Sequence, residues 1–133
     1  MIDHLTIGVR DLERSRAFYR VALEPLGFAE MGSWSAGQRE IAFGYKGGDD
    51  FAISTEYEAG GQVHLAFSAD SREAVEAVHA AALAAGGHDN GAPGERPEYS
   101  PGYYGAFVLD PDGHNAEAVW HSEAGSGSGQ QPQ

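Results

Sequence analysis

The sequence predicts an α+β fold built from two copies of one βαβββ unit. An internal repeat is the first observation behind this prediction. With an offset of 60 residues, the positions Glu13, Ala17, Leu23 and Gly27 recur as Glu73, Ala77, Leu83 and Gly87. The second observation is that each copy opens on a His-Leu pair, at His4 and at His64, which leads into an apolar strand pattern and then a helical pattern. Self-similarity at a fixed period is the signature of a repeated supersecondary unit.

The first copy is predicted to fold as β-α-β-β-β. Its elements are a strand over 2–9, a helix from 12 to about 26, and strands at 28–32, about 39–45 and about 50–54. Alternation in the first strand places His4 on the face opposite Leu5. Asp11 is a suitable N-cap for the helix. Gly47-Gly48 separates the last two strands and indicates a hairpin turn.

The second copy repeats this order with a less regular middle. Its elements are a strand over 63–69, a helix over 72–85, a loop with one short edge strand over 88–99, and strands over 103–109 and 115–121. Asp70 and Glu73 fit a capping box at the start of the helix. Pro111 and Gly113 make the 110–113 segment a strong turn signal, because proline presets one corner and glycine accepts positive φ.

Length and composition limit the domain count and the classes of partner. We expect one domain over 1–123, with module 1 at about 1–59 and module 2 at about 62–121, followed by a flexible tail over 124–133. The net charge of −12 opposes nucleic-acid binding, which requires Lys and Arg to neutralise phosphates. No apolar run approaches the roughly 20 residues of a membrane span, and we expect no signal peptide, because the first residues do not show a basic segment followed by a long apolar run. We therefore expect a cytoplasmic protein.

Three stretches of the chain resemble one known family. They are IDHLTIGV at 2–9 with DLERS at 11–15 and FY at 18–19, HLAF at 64–67, and GAFVLDPDGHNAE at 105–117. In their order and their match to the internal repeat, they are similar to the vicinal oxygen chelate superfamily, which includes glyoxalase I, bleomycin-resistance proteins and extradiol dioxygenases. The resemblance covers residues 1 to about 121. It implies that the two modules join into a curved eight-stranded mixed sheet, a cup around a central pocket.

The resemblance also implies a metal site. Its ligands in the family lie on the first and fourth strands of each module, and the matching positions here are His4, His64 and Glu117. The remaining position falls in 51–54, where Ser54 is a poor ligand, so a four-ligand glyoxalase-type site is not expected. Two imidazoles and one carboxylate can hold Fe, Mn, Co, Ni or Zn and leave positions open for two adjacent substrate oxygens. The sequence does not select among these ions.

Aromatic side chains are the predicted substrate contacts. They are Trp34, Phe43, Phe51, Tyr57, Tyr99, Tyr103 and Tyr104. Core packing is the alternative, and it is favoured for Phe43. The 99–104 segment precedes a strand, and binding residues concentrate on loops held by a rigid scaffold. Glu98 and Ser100 stand where the relatives that this segment resembles would carry histidines, so a proton-transfer histidine is not expected there.

Charged residues near this loop leave two interpretations open. Arg96 could bind an anionic group of a substrate, or it could pair with Glu95 or Glu98, and the solvated ion pair is favoured. The sequence assigns no catalytic residue; Glu56, Tyr57 and Tyr103 are the candidates for a general base.

Two classes of function remain open. The first, which we favour, is a metal-dependent enzyme with lyase, isomerase or dioxygenase-like chemistry on a small molecule with adjacent oxygens. The second is a metal-free protein of the bleomycin-resistance type that sequesters an aromatic antibiotic or natural product by stacking and apolar contact. The resemblance also implies a homodimer, and pairing of exposed strand edges would provide the physical reason.

Overall fold

A computed structural model describes residues 2–32, 37–48 and 50–122. Its elements are β1 (Leu5–Gly8), α1 (Leu12–Ala22), β2 (Phe28–Gly32), β3 (Glu40–Tyr45), β4 (Phe51–Ser54), β5 (His64–Ser68), α2 (Arg72–Ala84), β6 (His88–Glu95), β7 (Tyr103–Leu109) and β8 (Asn115–His121). The predicted α+β class and the two βαβββ modules are confirmed. Trp34 and the tail at 124–133 lie outside the described residues.

Each module contributes one four-stranded mixed sheet. The strand orders are β1-β4-β3-β2 and β5-β8-β7-β6. In each sheet the first strand of the module runs parallel to the fourth, and the other neighbours are antiparallel. The eight predicted strands are thus arranged as two sheets of four. Backbone packs closely against the end of β1, since a Cβ at Gly8 would overlap the carbonyl oxygen of Glu58.

The helices and one shared core join the two modules. Buried apolar residues from both modules form this core, among them Ile7, Phe18, Tyr19, Ile53, Leu65, Ala82 and Val108. Helix α1 lies against α2, and α2 packs on β7 and β8. A second cluster places Ala106 and Ala118 against Val75 and Val78 of α2. Because side chains alternate along a strand, the neighbours of Ala118 in β8 point to the opposite face of this sheet.

Both helices start where predicted, but the N-cap residue of α2 differs from the prediction. The Asp11 carboxylate accepts a hydrogen bond from the Arg14 amide. In α2, the hydroxyl of Ser71 accepts from the Ala74 amide at 3.1 Å, so the predicted cap at Asp70 is wrong by one position. Ser71 has the extended backbone of an N-cap residue, and from there its hydroxyl reaches the amide three positions on.

Helix α1 is shorter than predicted, and β6 is longer. The chain leaves α1 after Ala22 and makes one 3₁₀ turn over Glu24–Leu26. Gly27 ends that turn in the left-handed conformation, with φ of 89°. Strand β6 fills most of the segment predicted as a loop. It is an edge strand with two irregularities in its pairing to β7, which explains how it accommodates Gly91 and Pro93.

None of the helices in the described ranges combines the length and apolar character that a membrane span requires.

Candidate functional site

A buried carboxylate lies on the face of the second sheet that points away from α2. Glu117 is in the middle of β8 and only 2% exposed. Its Oε1 lies 2.7 Å from Nε2 of His64, at the start of the neighbouring parallel strand β5. Burying a carboxylate is unfavourable unless it has partners. The side chain of His64 is 55% exposed, so this pair is open to solvent on the histidine side.

Tyr103 provides the second partner of Glu117. Its hydroxyl, on β7, donates to Oε2, the carboxylate oxygen that His64 does not contact. A Cβ at Gly105 would lie 3.1 Å from the same oxygen, so glycine leaves room for the carboxylate. The pKa of Tyr103 is raised above its ordinary value, first by desolvation and then by the hydrogen bond and charge of Glu117. The phenol is therefore held protonated as a donor.

Further rings surround this pair, and strand pairing explains why. Phe107 is directly opposite Glu117, and His121 is directly opposite Tyr103, so these side chains share one face. The Phe107 and His64 rings are 6.0 Å apart, and the Tyr103 and His121 rings meet edge-on at 5.1 Å. We call the surface formed by His64, Tyr103, Phe107, Glu117 and His121 the Glu117 face.

The third predicted metal ligand is not part of the Glu117 face of its own chain. His4 precedes β1, with its side chain 59% exposed and its Nδ1 2.9 Å from a carboxylate oxygen of Asp3. Within the described ranges, no three His, Asp or Glu side chains of one chain are grouped so that they could hold a metal ion. The structure thus brings together His64 and Glu117 but not His4. Ser54 is fully buried, and its hydroxyl accepts from the Glu56 amide.

The aromatic residues predicted to contact substrate lie in three locations: the buried core, the surface of the sheet that faces α2, and the exposed surface. Phe43 and Phe51 are buried in the core, which leaves little of either ring to contact a ligand. Tyr104 packs towards α2, where its hydroxyl donates to Glu76 at 2.7 Å, and this hydrogen bond is the main cause of its raised pKa. Tyr57 is exposed. Tyr99 is also exposed and meets the Tyr103 ring edge-on, so it borders the Glu117 face.

The prediction for Arg96 is wrong in its preferred form. Among the described residues, neither Glu95 nor Glu98 forms an ion pair with Arg96; Glu95 pairs with Arg72 at 2.9 Å. The guanidinium of Arg96 lies over the Phe107 ring instead, 5.5 Å from its centroid. It is close enough to Tyr103 to offset part of the rise in the pKa of that phenol.

A buried polar joint between the modules was not predicted from the sequence. The turn between β7 and β8 carries Asp110, whose Oδ2 accepts from the Tyr19 hydroxyl of α1 at 2.5 Å. Its Oδ1 accepts from the amides of Asp112 and His114, both at 2.9 Å. Burial, followed by the charge of Asp110, raises the pKa of Tyr19 well above its ordinary value. The turn motif indicates the corner, but no sequence signal shows that it inserts into the other module.

His114 extends this joint to the edges of β1 and β5. Its Nδ1 accepts from the Val63 amide at 3.1 Å, and its Nε2 lies 3.2 Å from the Gly8 carbonyl oxygen. Nδ1 accepts from an amide while Nε2 faces a carbonyl oxygen, so this geometry assigns the ring proton to Nε2. Asp112 adds an ion pair with Arg10 at 3.0 Å. These contacts set the position of the first module relative to the strand that carries Glu117.

Comparison with known proteins identifies the family that this architecture matches. The profile of the Glyoxalase/Bleomycin resistance protein/Dioxygenase superfamily matches residues 1–118. A glyoxalase/bleomycin resistance protein from Albidiferax ferrireducens T118 is 34% identical, with 90% of this chain and 98% of that chain covered and a TM-score of 0.70. No curated protein matches the sequence.

Two more distant structures share the fold. A glyoxalase/bleomycin resistance protein/dioxygenase family enzyme from Burkholderia phytofirmans PsJN is 23% identical over 91% of this chain and 98% of its own, with a TM-score of 0.69. A glyoxalase-related enzyme from Fulvimarina pelagi is 22% identical over 90% of this chain and 87% of its own, also with a TM-score of 0.69.

Proposed function

The chain belongs to the Glyoxalase/Bleomycin resistance protein/Dioxygenase superfamily, and on this premise we propose that it binds a divalent metal ion through His64, Glu117 and His4. We propose that it uses the ion on a small molecule with two adjacent oxygens. The observation that carries the proposal is the 2.7 Å approach of the His64 imidazole to a carboxylate that is 2% exposed.

The two converging side chains fit a metal ion in chemistry and in spacing. Imidazole nitrogen and carboxylate oxygen both suit Fe, Mn, Co, Ni and Zn. Ligand atoms bound side by side at roughly 2.1 Å from one metal lie about 3 Å apart, so only a small widening of the present pair is needed. When bound, such an ion would act as a Lewis acid that stabilises negative charge developing on substrate oxygens.

His4 is proposed to come from a second copy of the chain. Its side chain is largely exposed, and within one chain it does not join the group formed by His64 and Glu117. Strands β1 and β5 are both sheet edges, and an edge offers unpaired backbone groups to another chain. A two-fold dimer would use these surfaces twice and build two equivalent sites.

Three residues near His64 and Glu117 would each have a distinct role at the proposed metal site. Tyr103 occupies Oε2 of Glu117 and leaves Oε1 directed towards His64. Phe107 supports the imidazole from the floor of the face. Tyr99 is exposed at the border, where it can cover a bound substrate. These roles suit a lyase or isomerase step or a dioxygenation, in which the substrate binds through adjacent oxygens.

Mixing of two inactive variants tests whether the site is shared. His4→Ala and Glu117→Ala should each lose metal binding, measured as equivalents of Ni or Zn retained after gel filtration. Denatured and refolded together, they should regain about a quarter of the parent's sites, because half of the dimers are mixed and each has one intact site. His88→Ala removes an exposed histidine of β6 and serves as the matched control. No recovery on mixing would contradict a shared site.

The aromatic rings on this surface favour the second candidate function. Tyr99 meets Tyr103 edge-on at 5.1 Å, and the exposed part of this pair offers a stacking surface to a flat ligand. A protein that sequesters an aromatic compound without metal would quench its fluorescence equally well before and after chelator treatment. Binding that requires added metal would contradict this alternative.

A further inference from the structure

Arg96 is a cation held against the Glu117 face without a carboxylate partner. Among the described residues it forms no ion pair, and its polar contacts are with backbone carbonyls. The chain has 20 acidic and only 8 basic residues, so partners for a cation are plentiful. Three arginines of the described chain do have them: Arg10 with Asp112, Arg16 with Glu30, and Arg72 with Glu95.

Local structure holds the guanidinium against Phe107. Its Nη2 donates to the carbonyl oxygen of Ala92 at 2.7 Å, and its carbon lies over Phe107. Two glycines of β6 clear the space beside it. A Cβ at Gly94 would lie 3.0 Å from Nη1, and a Cβ at Gly91 would lie 3.3 Å from Nη2. The position of the side chain is therefore determined by contacts with β6 and Phe107, and the residue remains partly exposed.

The contacts leave most of the binding capacity of this group unused. A guanidinium has five N–H donors in a planar fork, which matches the oxygens of a carboxylate or phosphate. Ala92 takes one donor, and the contact with the Glu95 carbonyl is long at 3.5 Å. Phe107, under the guanidinium, also contacts the ring of His64, so one aromatic side chain connects Arg96 with a proposed metal ligand.

We infer that Arg96 forms an anion subsite on the Glu117 face, and that the substrate carries a carboxylate or phosphate group besides its two adjacent oxygens. The second part rests on the proposed function, whereas the anion subsite itself does not. A strongly acidic protein repels small anions in general. Arg96, a cation without a carboxylate partner in the described part of the chain, is therefore where an anionic group would be selected.

The subsite is tested first without metal. Inorganic phosphate is titrated into the chelator-treated protein, and the side-chain Nε–Hε signals of its arginines are followed by NMR. The Arg96 signal should shift and saturate, whereas that of Arg20, on the outer face of α1, should not. Arg96→Gln assigns the signal, and Arg20→Gln is the matched control. An Arg96 signal that shifts no more than that of Arg20 would overturn the inference, even if Arg96→Gln were to fold poorly.

The substrate class is tested second, on Ni-loaded protein. Acetohydroxamate and succinic monohydroxamate chelate metal through the same group, but only the latter carries an extra carboxylate. The parent should bind the carboxylate-bearing compound about tenfold more tightly, and Arg96→Gln should remove this preference without changing acetohydroxamate affinity. Equal binding of both compounds by the parent would refute the substrate class. If the parent binds no nickel but its Arg96 NMR signal still responds to phosphate, the proposed function is refuted and the anion subsite is supported.

Discussion

Replacement of Tyr19 by phenylalanine tests the joint between the modules. The Tyr19 hydroxyl donates to Asp110 at 2.5 Å across the module boundary, and both groups are buried. The ring itself should not move, because Phe18 and Phe51 each hold it edge-on at 4.9 Å. Tyr19→Phe thus removes one hydrogen bond and leaves one oxygen of a buried carboxylate without its donor.

The expected loss of stability follows from the charge of Asp110, the hydrogen-bond acceptor. Hydrogen bonds to charged groups contribute about 1.5–3 kcal/mol to the free energy of unfolding. Asp110 keeps the two backbone amides on its other oxygen, so the loss should stay within this range. For a chain of this size it corresponds to a fall in Tm of roughly 4–10 °C. Urea denaturation at pH 7, followed by tryptophan fluorescence, measures the difference directly.

The loss of stability caused by Tyr19→Phe should depend on pH, and its direction follows from the pKa of Tyr19. The pKa of Tyr19 is raised in the folded protein above its ordinary value of 10.0, so the unfolded chain loses this proton first. The stability that Tyr19 contributes is complete below pH 10 and is lost as the pH rises above it. The difference in the free energy of unfolding between the parent and Tyr19→Phe should therefore decrease above pH 10.

Tyr45→Phe is the matched control, because the Tyr45 ring is exposed and its hydroxyl forms no described hydrogen bond. It should change the free energy of unfolding by less than about 0.5 kcal/mol. A Tyr19→Phe variant as stable as the parent at pH 7 would refute the reasoning for the joint.

Two further substitutions have defined outcomes. Tyr103→Phe leaves Oε2 of Glu117 without its donor and should weaken Zn binding about tenfold, as loss of a group that orients a ligand does, measured by competition with a chromophoric chelator. Unchanged affinity would show that Tyr103 does not position the carboxylate, and Tyr99→Phe is its control. Gly8→Ala forces a Cβ into the Glu58 carbonyl and should destabilise the fold by about 1–3 kcal/mol in urea denaturation. Gly60→Ala is the control and should not destabilise the fold, because nothing lies within 4 Å of a Cβ at Gly60. Equal stability of Gly8→Ala and Gly60→Ala would contradict the close approach at Gly8.

The sequence predicts the modules well because local patterns determine them. The strand and helix patterns within each 60-residue repeat, the Asp11 cap and the turn at 110–113 each depend on a few neighbouring residues. The α2 cap was misplaced by one residue because Asp70 and Ser71 are both good caps, and only the backbone conformation decides between them. The edge strand predicted within 88–99 is longer in the structure than expected, because its Gly and Pro are typical of loops although an edge strand tolerates them.

The candidate site was predictable in part. Parallel pairing of β5 with β8 brings His64 to Glu117, as the two motifs indicate. The Tyr103 contact with Glu117 and the Arg96 contact with Phe107 depend on register across β6, β7 and β8, which no local pattern encodes. The position of His4 relative to the pair depends on packing between modules or between chains. That packing is determined by buried polar contacts such as Tyr19 with Asp110, which connect positions 91 residues apart.

Metal content tests the central claim most directly. The parent protein and a His4→Ala, Glu117→Ala double variant are loaded with Fe(II), Ni, Mn or Zn, desalted and measured by plasma mass spectrometry. We predict about one equivalent of a transition metal per chain in the parent and none in the double variant, since each site needs both residues. A parent that retains no metal after every loading, or a double variant that retains as much as the parent, would contradict the proposed site.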